Sequence, residues 1–184
     1  MILPIVKYGD PVLRAKGAPI TEITDATKRL ANDMIETMRA AHGVGLAAQQ
    51  IGQAIQITVI DVAGVEDRPS AMFMKGDPVK LEDYMPMVLI NPELKLSTEQ
   101  DVASEGCLSF PDLNAQIHRS TGVRCTAKLL DGSTIEFDAA GLLARALQHE
   151  VDHLHGVLFI DRMNSAAKVG LAGKLKRLQK EYRK

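Results

Sequence analysis

The chain has 184 residues, is 46% hydrophobic and carries a formal net charge of −1, which predicts one globular domain with an apolar core. The near-neutral charge argues against a general attraction to DNA, and no apolar run reaches the roughly 20 residues of a membrane span. The N-terminus does not resemble a signal peptide and two cysteines do not make a disulfide framework, so we expect a soluble protein in the reduced cytoplasm.

The first third of the chain predicts one helix and one strand. Apolar residues recur at helical spacing from about residue 24 or 25 to residue 41, and they include Leu30, Met34 and Met38. Residues 43–52 are too rich in glycine to favour an ordinary helix. Residues 55–62 are rich in β-branched side chains and therefore predict a strand.

The middle of the chain predicts a long loop and then further strands. Residues 63–86 carry several glycines and prolines among mixed charges, and we interpret them as a surface insertion in the form of a solvated loop. Residues 87–91 predict a strand that Pro92 stops. Residues 117–130 and 133–137 predict a β-hairpin, because Asp131-Gly132 between them is a strong turn signal.

A buried helix should follow, with Asp138 as its N-cap and Gly156 just past its end. Two adjacent apolar rows face inward, and the polar residues predicted to face outward are Arg145, Gln148, Asp152 and His155. Residues 165–184 predict a second, basic helix, with seven lysines and arginines against one glutamate. Because strands and helices do not alternate regularly, an α+β fold is favoured over a parallel α/β sheet.

The buried helix carries the motif H-E-x-x-H, in which His149 and His153 are four residues apart and Glu150 follows the first. Helical residues i and i+4 lie roughly 5–6 Å apart, so two imidazoles can bind one metal ion while the glutamate reaches its water. The alternative is a core helix with two satisfied histidines and a salt-bridged glutamate. A buried, unpaired carboxylate is costly, so we favour the metal site.

The third protein ligand separates the candidate families. A metzincin protease would need a histidine three residues after Gly156, but Phe159 stands there. A thermolysin-like protease would need a downstream glutamate, and only Glu181 in the basic tail remains. Cys107, in the run E-G-C-L-S, is the better candidate, because a thiolate with two imidazoles leaves one position open for water.

Three separated blocks resemble the signature motifs of peptide deformylases. They are residues 43–50 (G-x-G-L-A-A-x-Q), residues 105–109 (E-G-C-L-S) and residues 148–156 (Q-H-E-x-D-H-L-x-G), and they stand in the family's order. The resemblance implies an α+β fold with small, mostly antiparallel β-sheets around a central metal-binding helix, plus an N-terminal and a C-terminal helix. We expect residues 1–164 to form one catalytic domain, with 63–86 as an insertion and 165–184 as a basic helix.

The resemblance also implies a reaction and a cofactor. Such an enzyme hydrolyses the N-formyl group from the formyl-methionine terminus of nascent polypeptides and releases formate. Its divalent ion, natively Fe(II) and otherwise zinc, nickel or cobalt, would be held by Cys107, His149 and His153. Glu150 would move protons, and the oxyanion would be stabilised by the side-chain amide of Gln50 and the backbone N–H of Leu108.

Substrate and partner contacts follow from the same resemblance. The peptide would pair with the glycine-rich segment like an added strand, and its methionine would enter a pocket. The residues implied are Gly43, Val44, Gly45, Leu142 and Ala146. The basic helix is a candidate for docking on the ribosome, with a bare cap on the domain as the alternative, and Glu105 and Asp152 are candidates to orient the ligands.

Two other functions stay open on the sequence alone. One is a zinc peptidase that cuts internal peptide bonds, and the other is an inactive, metal-binding homologue with a regulatory role. The departures from the bacterial pattern concern the pocket, where Arg145 replaces an apolar residue and Asn114 replaces an arginine. These two positions bear on substrate preference and not on the chemistry.

Overall fold

The computed structural model describes residues 1–182 and shows an α+β fold, which confirms the predicted class. Its three α-helices are α1 (Asp25–Ala40), α2 (Leu142–Leu154) and α3 (Ser165–Tyr182). The last two residues of the basic tail, Arg183 and Lys184, lie outside the described residues. Over the described part of the chain, no helix is both long enough and apolar enough to cross a membrane.

The strands form two sheets in which neighbouring strands are antiparallel. In chain order the strands are β1 (Gly45–Ala47), β2 (Ile57–Ile60), β3 (Ser70–Met74), β4 (Asp77–Pro78), β5 (Met87–Leu96), β6 (Gln100–Cys107), β7 (Phe110–Ser120), β8 (Gly122–Lys128) and β9 (Thr134–Gly141). Within the described residues the larger sheet has seven strands in the order β1-β2-β5-β8-β9-β3-β4, and β6 and β7 form a separate hairpin.

The predicted N-terminal helix is confirmed within one residue at its end. Thr24 caps it, because its hydroxyl accepts a hydrogen bond from the Thr27 amide at 3.3 Å. The helix then buries Ala31, Met34 and Met38 against the apolar side chains of β1, β2 and β5. Its inward face therefore covers the side of the large sheet that ends in β1, the strand formed by the glycine-rich segment.

The start of α2 differs from the prediction. Asp138 is not its N-cap but lies in β9, where it accepts two hydrogen bonds from Arg124 at 2.8 and 3.0 Å. The helix begins after Gly141, and its first amides are satisfied from β3: Leu143 donates to the Ser70 hydroxyl at 2.9 Å. A cap that comes from a segment so distant in sequence leaves no local signal.

The outward face predicted for α2 is also wrong at two positions. Arg145 and Gln148 are buried, at 5% and 6% exposure, although Asp152 is half-buried and His155 is exposed as expected. Gln148 makes a paired contact with the Ser120 backbone, accepting from its amide at 3.0 Å and donating to its carbonyl at 2.9 Å. Buried polar groups are tolerated when they are hydrogen-bonded, so these two polar residues can face the protein interior.

The solvated loop predicted over residues 63–86 is wrong as well. Residues Ser70–Met74 form β3, which pairs with β9 and brings Met72 into the core at 2% exposure. A short 3-10 turn, Leu81–Tyr84, follows β4. β3 pairs locally only with the two-residue β4, and its main partner β9 lies more than sixty residues later. The local sequence is therefore dominated by glycine and proline, which do not indicate a strand.

Two strand boundaries need correction. Pro92 does not stop β5, which continues to Leu96 through an irregularity between Ile90 and Glu93 in its pairing with β8. A proline can sit at such a bulge because it has no amide to give to the ladder. The stretch 117–130 is not one strand either, because β7 ends at Ser120 and β8 starts in the other sheet. The turn at Asp131-Gly132 is confirmed.

Candidate active site

Three parts of the chain meet at one end of α2. The helix contributes both histidines and Glu150, the end of β6 contributes Cys107, and the 3-10 turn after β1 (Ala48–Ile51) contributes Gln50. All of these except His153 line a cavity of about 630 Å³ that opens to solvent. Its volume lies in the range typical of small-ligand pockets.

The structure brings together the three residues that the sequence nominates as metal ligands. The Cys107 sulfur and one ring nitrogen from each of His149 and His153 lie within 4.8 Å of one another. The Cys107 Sγ to His153 Nε2 distance is 3.4 Å, and both histidines are buried. Residues distant in sequence therefore present one sulfur and two nitrogens around one point, as a three-ligand catalytic site does.

The charges around this point favour a cation. Burial lowers the pKa of His153 well below its ordinary value and keeps that imidazole neutral, the form that binds metals. Burial also opposes charge on His149, but hydrogen bonds with Cys107 and Glu105 outweigh it and raise the pKa of His149. The charged Glu105 carboxylate favours one positive charge beside it, which a proton or a divalent ion can supply, so the donor set fits a metal ion.

Glu150 is buried beside the two histidines without a partner for one of its oxygens. Its Oε2 has no hydrogen-bond partner among residues 1–182, and the residue is 4% exposed. Burial raises the pKa of Glu150 to about 7, so its carboxyl can gain or lose a proton near neutrality. Gly45 packs directly against it, because a Cβ built on Gly45 would lie 2.8 Å from Glu150 Cδ.

Gln50 is buried rather than a surface glutamine. Its Oε1 accepts from the Ala47 amide at 2.9 Å, which turns Nε2 toward Ser109 Oγ at 3.3 Å and Cys107 Sγ at 3.5 Å. The amide hydrogens of Gln50 therefore point at the candidate metal ligand. The next residue on from Cys107, Leu108, lines the cavity, and Lys7 Nζ donates to its carbonyl at 2.7 Å.

The glycine-rich segment forms part of the cavity wall, next to Glu150. Strand β1 is the outermost strand of the large sheet and pairs with β2 on one side only. Just before it, the Val44 carbonyl accepts from the Asp61 amide at 2.9 Å. The cavity wall includes all five residues nominated for substrate binding, namely Gly43, Val44, Gly45, Leu142 and Ala146.

Arg119 is a site residue that the sequence interpretation missed. It donates to both oxygens of Glu105, at 2.9 and 3.0 Å, and to Asp152 at 2.6 Å. Glu105 in turn meets His149 Nδ1 at 2.9 Å, so the two acids expected to orient the ligands share one guanidinium. The sequence holds a weak signal for it. Side chains alternate between the two faces of β7, so Arg119 faces inward like Ile117, and a charge at an inward position needs a buried partner.

Glu105 is held in its charged form. Burial alone would raise its pKa, but hydrogen bonds with His149 and Arg119 outweigh burial and lower the pKa well below its ordinary value. An ionised carboxylate can only accept hydrogen bonds, so the His149 nitrogen that meets it carries the proton. On the other ring nitrogen of His149, a metal ion would take the place of a second proton.

Comparison with known proteins identifies the family. The profile of the polypeptide deformylase family matches residues 2–169. The peptide deformylase of Methylacidiphilum infernorum is 43% identical over 98% of this chain and 94% of its own length. The crystal structure of peptide deformylase 1B from Arabidopsis thaliana has a TM-score of 0.84 and 35% identity, over 98% of this chain and 92% of that one.

A second solved structure agrees. The peptide deformylase of Thermotoga maritima superposes with a TM-score of 0.75 at 38% identity, and the match covers 89% of this chain and 99% of that one. The relatives thus match in sequence along nearly the whole chain and in fold at high similarity. The chain belongs to the peptide deformylase family.

Proposed function

We propose that Cys107, His149 and His153 hold one divalent ion in this deformylase. Beside it, Glu150, Gln50 and Leu108 would carry the hydrolysis of the N-formyl group from formyl-methionine termini of nascent polypeptides. The observation that carries the proposal is the convergence of one sulfur and two ring nitrogens within 4.8 Å of one another, next to a buried carboxylate with an unpaired oxygen.

A divalent ion at this position would act as a Lewis acid and lower the pKa of a water it binds from about 15.7 to about 7. A thiolate with two imidazoles suits iron, zinc, nickel and cobalt. We propose Fe(II) as the native ion, following the family that the sequence resembles. Elemental analysis of protein purified without oxygen tests this choice, and a preparation that contains zinc alone would contradict it.

Glu150 is proposed as the group that moves protons. Its unpaired Oε2 can accept a proton from the attacking water and later give it to the departing amine. It is buried and packs against Gly45 at the cavity wall. The charge that develops on the formyl oxygen would be met by the Gln50 side-chain amide and the Leu108 backbone N–H, both at the cavity wall.

The peptide substrate is proposed to add a strand to the free edge of β1. Gly45 at the start of β1 and the two residues before it line the cavity. Pairing through the main chain of residues 43–45 reads no side chains, which suits an enzyme acting on many nascent chains. The methionine side chain would then enter the apolar part of the cavity beside Val44, Leu142 and Ala146.

The proposed chemistry is tested with Glu150→Gln. We expect this variant to keep one metal ion per chain and to release formate from formyl-Met-Ala at least about 100-fold more slowly. Glu93→Gln, an exposed glutamate on β5, is the matched control and should act like the parent chain. Full activity in Glu150→Gln would contradict the proposal, and cleavage of casein by the parent would favour a peptidase.

The basic C-terminal helix is proposed to dock on the ribosome, as an addition to the catalytic domain of residues 1–164. Helix α3 packs through Leu175 and Leu178, while Lys168, Lys176 and Lys180 are exposed. Exposed positive charge is attracted to RNA. Changing the three lysines to glutamate keeps the buried leucines, and it should abolish co-sedimentation with ribosomes at low salt. Unchanged co-sedimentation would contradict docking.

The cytoplasmic location of the protein stays a prediction.

A further inference from the structure

Six charged side chains of alternating sign form a row of ion pairs behind the two histidines, called the charge chain below. Five ion pairs link its members in series, with N···O distances of 2.8, 2.6, 2.9, 2.8 and 2.5 Å. In order the members are Arg162, Asp152, Arg119, Glu105, Arg145 and Asp101. The charge chain begins and ends near solvent and is buried in the middle, where the side chains of Arg119, Glu105 and Arg145 are 4–6% exposed.

Arg145 completes the hydrogen bonding of Glu105. One carboxylate oxygen accepts from His149 at 2.9 Å and from Arg119 at 3.0 Å, and the other accepts from Arg119 at 2.9 Å and from Arg145 at 2.8 Å. A carboxylate has about four acceptor positions, so all of them are filled. Without Arg145 the second oxygen would lose one of its two donors, and the carboxylate would be less well fixed against His149.

Arg145 also joins the two elements that carry the metal ligands. It lies on α2 one turn before His149, and Glu105 lies on β6 two residues before Cys107. Its other contacts reach both strands of the β6–β7 hairpin, with the Ile117 carbonyl at 2.9 Å and the Asp101 carboxylate at 2.5 Å. One guanidinium therefore fixes the distance between the strand that holds the sulfur and the helix that holds the nitrogens.

We propose that Arg145 is a positioning residue for the metal centre. It fixes Glu105 so that Glu105 accepts the Nδ1–H of His149, and it holds β6 so that Cys107 stays within ligand distance of both histidines. The inference rests on the proposed function, because it assumes an ion at these three residues. Arg119 makes a similar link through Glu105 and Asp152, and Arg145 adds a separate one on α2, one turn before His149.

The test measures metal retention in the full chain loaded with zinc. We expect Arg145→Met to transfer zinc to a chelator roughly 10–100-fold faster than the parent, the usual effect of losing a partner behind a metal ligand. Arg145→Lys should fall between them, because an ammonium can reach Glu105 but not the Ile117 carbonyl and Asp101 as well. Arg124→Met removes an exposed arginine with the same type of ion pair and should leave the rate unchanged.

Two spectroscopic readings separate positioning from a general loss of stability. With Co(II) in place of zinc, Arg145→Met should shift the visible absorption of the thiolate-bound ion. Nitrogen NMR of the zinc-loaded protein should show the Nδ1–H of His149 exchanging faster with solvent, because Glu105 holds it less firmly. Unchanged zinc release and an unchanged cobalt spectrum, with only a lower melting temperature, would overturn the proposal. If Arg145→Met does not fold, Arg145→Lys replaces it, because it keeps the buried charge. Zinc release and the cobalt spectrum of Arg145→Lys then test the proposal.

A parallel variant keeps the two proposals distinguishable. Cys107→Ser should lose zinc far faster than any Arg145 variant, since it removes a ligand and not a neighbour. If the parent holds one zinc per chain and Arg145→Met holds it equally well, only the positioning role fails. If Cys107→Ser retains zinc as tightly as the parent, the metal site is wrong and both proposals fail.

Discussion

Helix α2 is buried on two opposite faces, and different forces hold them. On one face Leu143 and Leu147 pack under the seven-stranded sheet in an apolar core. On the other, Arg145 and Asp152 belong to a chain of ion pairs. Apolar contact is non-directional and tolerates repacking, whereas each buried charge depends on a particular partner. The face of α2 in the apolar core should therefore tolerate substitutions better than the face that supports the metal centre.

The largest effect should come from the centre of the charged face. Arg119→Met leaves both Glu105 and Asp152 without their shared donor, and removing one partner of a buried pair costs about 3–5 kcal/mol. Urea unfolding of metal-loaded protein measures the loss. A loss below about 1 kcal/mol would show that the charged face contributes no more than a surface salt bridge.

Acid should weaken the charged face and spare the apolar one. The pKa of Glu105 is lower in the folded than in the unfolded protein, so its stabilisation is full above the unfolded pKa, about 4.3, and declines as the pH falls below it. The decline is at most about 1.4 kcal/mol per pH unit for one group. Comparing unfolding free energies of the parent and Glu105→Gln from pH 6 to pH 3 checks this: the difference between them should shrink toward low pH.

A volume-conserving change on the apolar face should be mild. Leu147 is fully buried, and Leu147→Met keeps its volume and its apolar character, so we expect a loss of less than about 1.5 kcal/mol. Formate release should stay close to the parent value. A loss as large as that of Arg119→Met would mean that both faces demand one particular packing, and the contrast between them would disappear.

The smallest effect is expected at the outer end of the charge chain. Arg162 pairs with Asp152 at 2.8 Å, but its side chain is 48% exposed, so solvent screens the pair. We expect Arg162→Met to cost about 0–1 kcal/mol, and the loss should shrink further in high salt. A cost that exceeds 2 kcal/mol and does not change with salt would contradict this, because it would show that the exposed Arg162–Asp152 pair stabilises the protein as much as a buried pair.

The sequence predicts the apolar face of α2 correctly and its charged face incorrectly. The H-E-x-x-H spacing identifies both histidines because helical geometry alone puts them together, and the apolar period places the core face of α2. The outer positions Arg145 and Gln148 were wrongly assigned to solvent, since their partners come from β6 and β7 and leave no local trace. Strand β3 was missed for the same reason, because its pairing with β9 is a long-range contact.

The Leu143 amide at the start of α2 donates to Ser70, 73 residues earlier in the chain. A chain leaving the ribosome cannot secure this helix terminus until Ser70–Met74 has docked beside Thr134–Gly141. Strand pairings between distant segments form slowly. We therefore expect the histidines to reach their final places only after the large sheet closes, so that ion capture would be among the last steps of maturation and would report a correctly assembled molecule.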